Sequence, residues 1–217
     1  MQLRLRDDLH WCLCGGRIIF LDLEADRYFC LSRSAGHAFL ELAEAEGQVA
    51  AAAPLQSLIA RGLLIESVGA IFSRPPRPPA PVSDLLDQHS PRASFRDRAA
   101  AFADEARAAW LLRRHPLRDV VRMARRRALG AVPSGCDATL RRIAASFAAS
   151  VFLPAADRCL VRAFALHAAC ARRSIRTTIL FGVRADPFAA HCWVQHEDQV
   201  LIGDYEQARL FTPVLAL

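Results

Sequence analysis

Residues 72–83 read FSRPPRPPAPVS, five prolines in twelve residues. Each proline fixes φ and removes a backbone donor, so neither a helix nor a central strand runs through this stretch. Whatever the chain folds into is therefore built from a part before it and a part after it. The stretch itself is expected to be an extended, semi-rigid spacer, at roughly 3 Å per residue in a polyproline conformation. The expected division is 1–70, a linker at 71–90, and 91–217. Such a spacer would hold the two parts roughly tens of ångströms apart.

The first part reads as β-β-β-α-α. Residues 9–13 (LHWCL) and 17–22 (RIIFLD) are strand-like and joined by Cys14-Gly15-Gly16, a hairpin signal. A third strand follows at 27–31 (RYFCL). Ser32 or Ser34 caps a helix over 35–45, which Gly47 stops. A short helix at 54–61 ends before Gly62.

After the prolines come three helical patterns, an Ala-rich one at 94–109, an Arg-carrying one at 117–129 and a third at 138–152. The stretch around Cys159 carries the chemistry. Asp157 is a good N-cap, which puts Cys159 in the first turn of a core helix. There the helix dipole and free N–H groups favour a thiolate, and Arg158 and Arg162 add positive charge. A strand at 177–183 and a loop at 184–190 follow. Residues 191–195 and 200–204 read as a hairpin around 196–199. With Gln195 facing Val200, counting outward sets His191 opposite Asp204, close enough for the carboxylate to hold the ring. Asp198 sits in the turn and is a poorer orienter. Cys159, His191 and Asp204 then give the order nucleophile, base, orienter. The bland readings are a buried core cysteine, an exposed strand end and a surface carboxylate. His167 and His196 read as structural or surface residues.

Composition narrows the classes. All 28 basic residues are Arg, the formal net charge is +6 and the pI about 9.3. Basicity alone fits nucleic acid, an acidic peptide or solvated helices, and no nucleic-acid motif is present. Seven cysteines, an odd number at irregular spacing, argue against a disulfide framework. Cys12-x-Cys14 lacks a partner half-site for zinc, so no metal is expected. Neither a membrane-spanning run nor a secretory signal is visible, so a cytoplasmic protein with no membrane partner is expected. No cofactor motif appears.

Two resemblances add to these readings. The segments RCLVRAFAL, GVRADPFAAHCWV and VLIGD resemble the C-terminal part of the lasso-peptide maturation B proteins, leader peptidases with a papain/transglutaminase-like fold. That resemblance implies Cys159 as nucleophile, His191 as base and Asp204 as third member; the family's Ala after the histidine is Cys192 here. The segment FLDLEADRYFCLS, with the later ARGLLIE, is similar to PqqD-like precursor-recognition domains. These are winged-helix-like and bind a leader peptide as an added strand. Carried over, the docking edge is Tyr28, Phe29, Cys30 and Leu31, facing a helix with Leu55, Leu58 and Ile59. Together they imply an α+β protein: a small winged-helix-like recognition domain, a three-stranded sheet plus helices, then a papain/transglutaminase-like cysteine peptidase domain. It would cleave the leader from a ribosomal lasso-peptide precursor and pass the freed amine to an ATP-dependent asparagine-synthetase-like lasso cyclase. The alternatives are an acyltransferase with the same site and a non-catalytic precursor-binding chaperone.

Overall fold

A computed structural model describes residues 2–48, 55–67, 72–86, 91–128, 137–150 and 158–217. Three strands, β2 (Leu9–Cys14), β3 (Arg17–Asp22) and β4 (Arg27–Cys30), form an antiparallel sheet in the order β2-β3-β4. Cys14 lies opposite Arg17, so Gly15-Gly16 is the whole turn. Both glycines have positive φ, 56° and 71°, as the tight hairpin requires. Helix α1 (Arg33–Glu44) starts at Ser32, whose hydroxyl accepts from the Ala35 N–H at 3.4 Å. Gly47 (φ 85°) ends it and accepts from the Leu3 N–H at 2.8 Å; a Cβ there would sit 2.1 Å from the Leu3 carbonyl oxygen. Helix α2 (Gln56–Ala60) follows. A second ladder, β1 (Leu3–Leu5) against β5 (Leu64–Glu66), was not expected, because three-residue strands carry almost no periodic signal.

Side chains alternate across this sheet. Trp11, Ile18 and Phe20 face α1 and form one core with Phe39 and Phe72, with ring centroids 5.0 to 5.7 Å apart. Cys12, Cys14, Ile19 and Leu21 face the other way, into a second core shared with the rest of the chain.

That second core belongs mainly to the part after the prolines. Its elements are β6 (Ser83–Asp84), α3 (Phe95–Arg114), α4 (Leu117–Ala128), α5 (Asp137–Ala148) and α6 (Arg158–Ala171). Then come β7 (Thr178–Ala185), β8 (Phe188–His196), β9 (Gln199–Val200), α7 (Tyr205–Ala208) and β10 (Thr212–Ala216). The five strands form one sheet in the order β10-β7-β8-β9-β6. Ile179, Phe181, Val183 and Cys192 point from it toward α6, and the helices close that side. The expected loop at 184–190 is instead the end of β7 and the start of β8, with Ala185 opposite Phe188. Among the described residues no helix is long and apolar enough to cross a membrane, and no group of three or more His, Cys, Asp or Glu side chains is placed to hold a metal ion.

Two expectations are corrected here. The parts before and after the prolines are not held apart, because β2 and β3 bury one face against β7 and β10. The Cys14 thiol donates to the Val183 carbonyl at 3.5 Å, and Gly15 abuts Ala185. Arg122 on α4 pairs with Asp8, and Arg118 with Glu24. The α+β class holds, and the first sheet packs one face into a core shared with the rest of the chain. The proline stretch is also not a free spacer. Phe72 is buried at one end and Leu85 at the other. Between them, the Ser73 carbonyl accepts from the Trp11 indole at 2.7 Å and the Pro79 carbonyl from the Gln195 amide at 3.1 Å. Ser83 and Asp84 then pair parallel with β9. Prolines lack the donor but keep the carbonyl, so an extended proline run offers a row of acceptors to side chains beside it.

Leu21 is 1 % exposed on the seam face. Leu21→Ala is expected to cost about 2–5 kcal/mol. Since Leu21 closes the seam, thermal unfolding followed by circular dichroism and Trp fluorescence should remain one transition at lower Tm. Two separated transitions in the parent protein would show that the halves fold independently.

Candidate active site

Cys159 is the second residue of α6, in the first turn, where backbone N–H groups have no helical acceptor. It is half-buried, with Val161, Ala163, Phe164 and Leu166 fixing the helix in the core. The expected cap, Asp157, lies outside the described residues.

His191 sits on β8, opposite Gly182 of β7. The missing side chain at Gly182 is what admits the ring of Trp193: a Cβ there would lie 2.6 Å from the indole. The His191 ring stacks on Trp193 (centroids 5.7 Å, planes 12° apart) and lies 5.3 Å from Phe211. Trp193 is itself fixed, donating its indole N–H to Gln195 at 2.8 Å, and Gln195 is held by Pro79. The proline stretch thus sets the shelf on which the imidazole rests.

A cleft of about 350 Å³ opens at the edge of β8, lined by Cys159, Arg162, His191, Trp193, Ile202 and Gly203. It exists because β9 pairs with β8 only at Gln195–Val200 and His196–Gln199, with one further bond from the Leu201 N–H to the Val194 carbonyl. Burial alone lowers the pKa of His191, so the ring is neutral at neutral pH. Cys192, on the opposite face, is buried, and burial with the nearby Cys159 raises its thiol pKa well above normal. It is an inert neighbour.

The hairpin register is as expected at its tip, where Gln195 faces Val200. It does not continue to His191 and Asp204. Gly203 (φ 129°) turns the chain away, and Asp204 becomes the N-cap of α7. Its Oδ1 accepts from the Glu206 and Gln207 N–H groups at 2.8 and 3.4 Å. The signal was legible: Asp204 is followed three residues later by Gln207, the spacing of a capping box. A carboxylate not foreseen from sequence, Asp84 of β6, accepts from the Tyr205 N–H at 2.9 Å, so α7 starts on two acidic side chains. Burial raises the pKa of Asp84, the Tyr205 bond opposes this, and Asp204 and Glu206 add to it.

Glu105 is a second residue missed from sequence, hidden in the Ala-rich pattern of α3. It is 2 % exposed, accepts from Ser150 Oγ at 2.7 Å and pairs with Arg162 at 3.2 Å. This buried carboxylate braces α6 one turn below Cys159. His167 is buried and bonded to Thr177 Oγ1 at 2.9 Å, and His196 contacts the Arg176 carbonyl at 2.8 Å.

The seven residues expected at a peptide-docking edge divide. β4 is the edge of its sheet, with Cys30 exposed. Phe29 stacks on Phe20 at 5.0 Å, and Leu31 and Ile59 are half-buried against the first core. Leu55 and Leu58 are each 2 % exposed, so they hold α2 to that core and offer no outward surface. Tyr28 points to the other face, with its ring 5.8 Å from Phe188.

The family model described as the transglutaminase-like superfamily matches residues 102–216, more than half of the chain and the whole of this cleft. No curated protein and no solved structure matches.

Three histidines, His10, His167 and His191, have pKa values lowered chiefly by burial, His10 to about 4. Their unfolded-state value near 6.5 is higher, so the unfolded chain binds protons first as pH falls. Stability contributed by keeping them neutral is full above pH 7 and is lost from about pH 6.5 downward, toward pH 4 for His10. Tm should therefore fall between pH 7 and 5, and His10→Gln should flatten part of that fall. A Tm constant over this range would contradict the buried neutral state.

Proposed function

We propose that this chain, which belongs to the transglutaminase-like superfamily, is a cysteine peptidase that removes the leader from a ribosomal lasso-peptide precursor. The observation that carries the reading is the shared cleft: a first-turn helix cysteine and a neutral, half-buried histidine line one opening of about 350 Å³. The superfamily usually contains Cys-His-Asp proteases and acyltransferases, which suits that pairing.

In this reading His191 takes the proton of the Cys159 thiol, and the thiolate attacks the carbonyl at the leader–core junction. The Cys159 backbone N–H, at the helix start, donates to the resulting oxyanion. The imidazolium protonates the leaving amine, which becomes the new core N-terminus. Water, deprotonated by His191, then hydrolyses the thioester and frees the leader. The released amine is the substrate of an ATP-dependent cyclase partner, and the leader docks as a strand on the free edge of β4. Asp204 serves as third member through Oδ2, the oxygen not used in capping α7, while Asp84 keeps the helix start satisfied.

Incubation with a precursor peptide encoded beside this gene, read by mass spectrometry, should give one cut with the parent and none with Cys159→Ala. Binding without cleavage by either would leave a docking protein. Asp204→Asn separates charge from capping, because Asn caps a helix as well as Asp does. It should leave stability within about 0.5 kcal/mol of the parent and lower kcat by about 100-fold or more. An unchanged kcat would reduce Asp204 to a cap.

A further inference from the structure

We propose that the seam between β4 and the β7–β8 hairpin is a substrate subsite, whose cavity holds one aliphatic or aromatic side chain of the peptide on the leader side of the cut. This rests on the peptidase reading above and adds a specificity site to it. The cavity measures about 230 Å³ and is lined by Arg17, Ile19 and residues 28–30 on one side and by Ala185 and Phe188 on the other. Neither half of the chain makes it alone: β3 and β4 supply one wall and the β7–β8 hairpin the other.

Three observations point to a peptide as its occupant. Phe188 is 56 % exposed at a hairpin end, where solvent would favour a polar residue, yet its ring contacts Tyr28 at 5.8 Å. β4 has one neighbour in its sheet, so its outer edge carries no strand among the described residues. A strand added to that edge points alternate side chains to opposite faces, one set over α2 and the other toward this cavity. The cavity and the cleft are both built on β8, which supplies Phe188 to one and His191 to the other. Tyr28 lines the cavity, and it packs against the same core as Cys159. A chain running from β4 to Cys159 passes the cavity before the cut, which places its occupant on the amino side of the scissile bond.

The test uses the full chain and the same precursor peptide. Phe188→Ala and Phe188→Asp should raise KM about tenfold or more, with kcat near the parent value, and Phe188→Leu should restore most of the loss. Their Tm should match the parent, as Phe188 is exposed. An alanine scan of the leader side should find one apolar residue whose loss raises KM in the parent but has no further effect in Phe188→Ala. Normal cleavage by the parent with unchanged KM in Phe188→Ala and Phe188→Asp would overturn the subsite and leave the peptidase reading intact. Precursor binding with no cleavage by the parent would remove the peptidase reading and the subsite with it.

Discussion

Burial of both faces of one three-stranded sheet is the constraint on which the rest depends. An antiparallel sheet usually packs one face and wets the other. Here β3 reads IIFLD, apolar at almost every position, and each of Ile18 to Asp22 is at most 3 % exposed. Ile18 and Phe20 complete the first core, and Ile19 and Leu21 belong to the second. A strand this apolar cannot sit at the centre of a spacer-tethered module without leaving a hydrophobic face in water. The packing of the halves against each other follows from that pattern, and the ion pairs from Arg118 and Arg122 only decorate it.

That consequence was readable in the residues, yet the prolines outweighed it. Proline excludes regular structure within itself, and the inference that it also excludes packing does not follow. Phe72 and Leu85 bracket the stretch, and each is the sort of residue that seeks a core. The elements with strong local signals came through: the Gly15-Gly16 turn, the Ser32 cap and the run of helices to Cys159. Elements that exist only by tertiary pairing, β1, β5 and β6, did not, since two or three residues have no period to detect.

The site divides along the same line. The elements that carry Cys159 and His191 were legible because they are set locally, one by helical pattern and the other by alternation. Asp204 was placed by extending a register, and register extension assumes the strand continues. Gly203 and the Asp204–Gln207 cap were both visible against that assumption. Burying a neutral imidazole costs little, whereas a carboxylate beside it must find donors. Backbone N–H groups at the start of α7 supply them. Asp84, next after the proline stretch, covers the remaining donor, so the cap does not demand both oxygens of Asp204.

The proline stretch therefore works as scaffold. Its Pro79 carbonyl holds Gln195, Gln195 holds the Trp193 indole, and Trp193 carries the imidazole. Its last residue, Ser83, and the following Asp84 edge the five-stranded sheet, and Asp84 also meets the start of α7. On the proposed reading this alters how recognition serves catalysis. A flexible tether raises the effective concentration of a bound peptide according to linker length, and most of its conformations are unproductive. A rigid seam fixes the direction and distance from docking edge to nucleophile, so ordering the peptide on β4 also orders it toward Cys159. The entropy lost on docking then lowers the barrier to reaction, a gain that loosely joined domains would forgo.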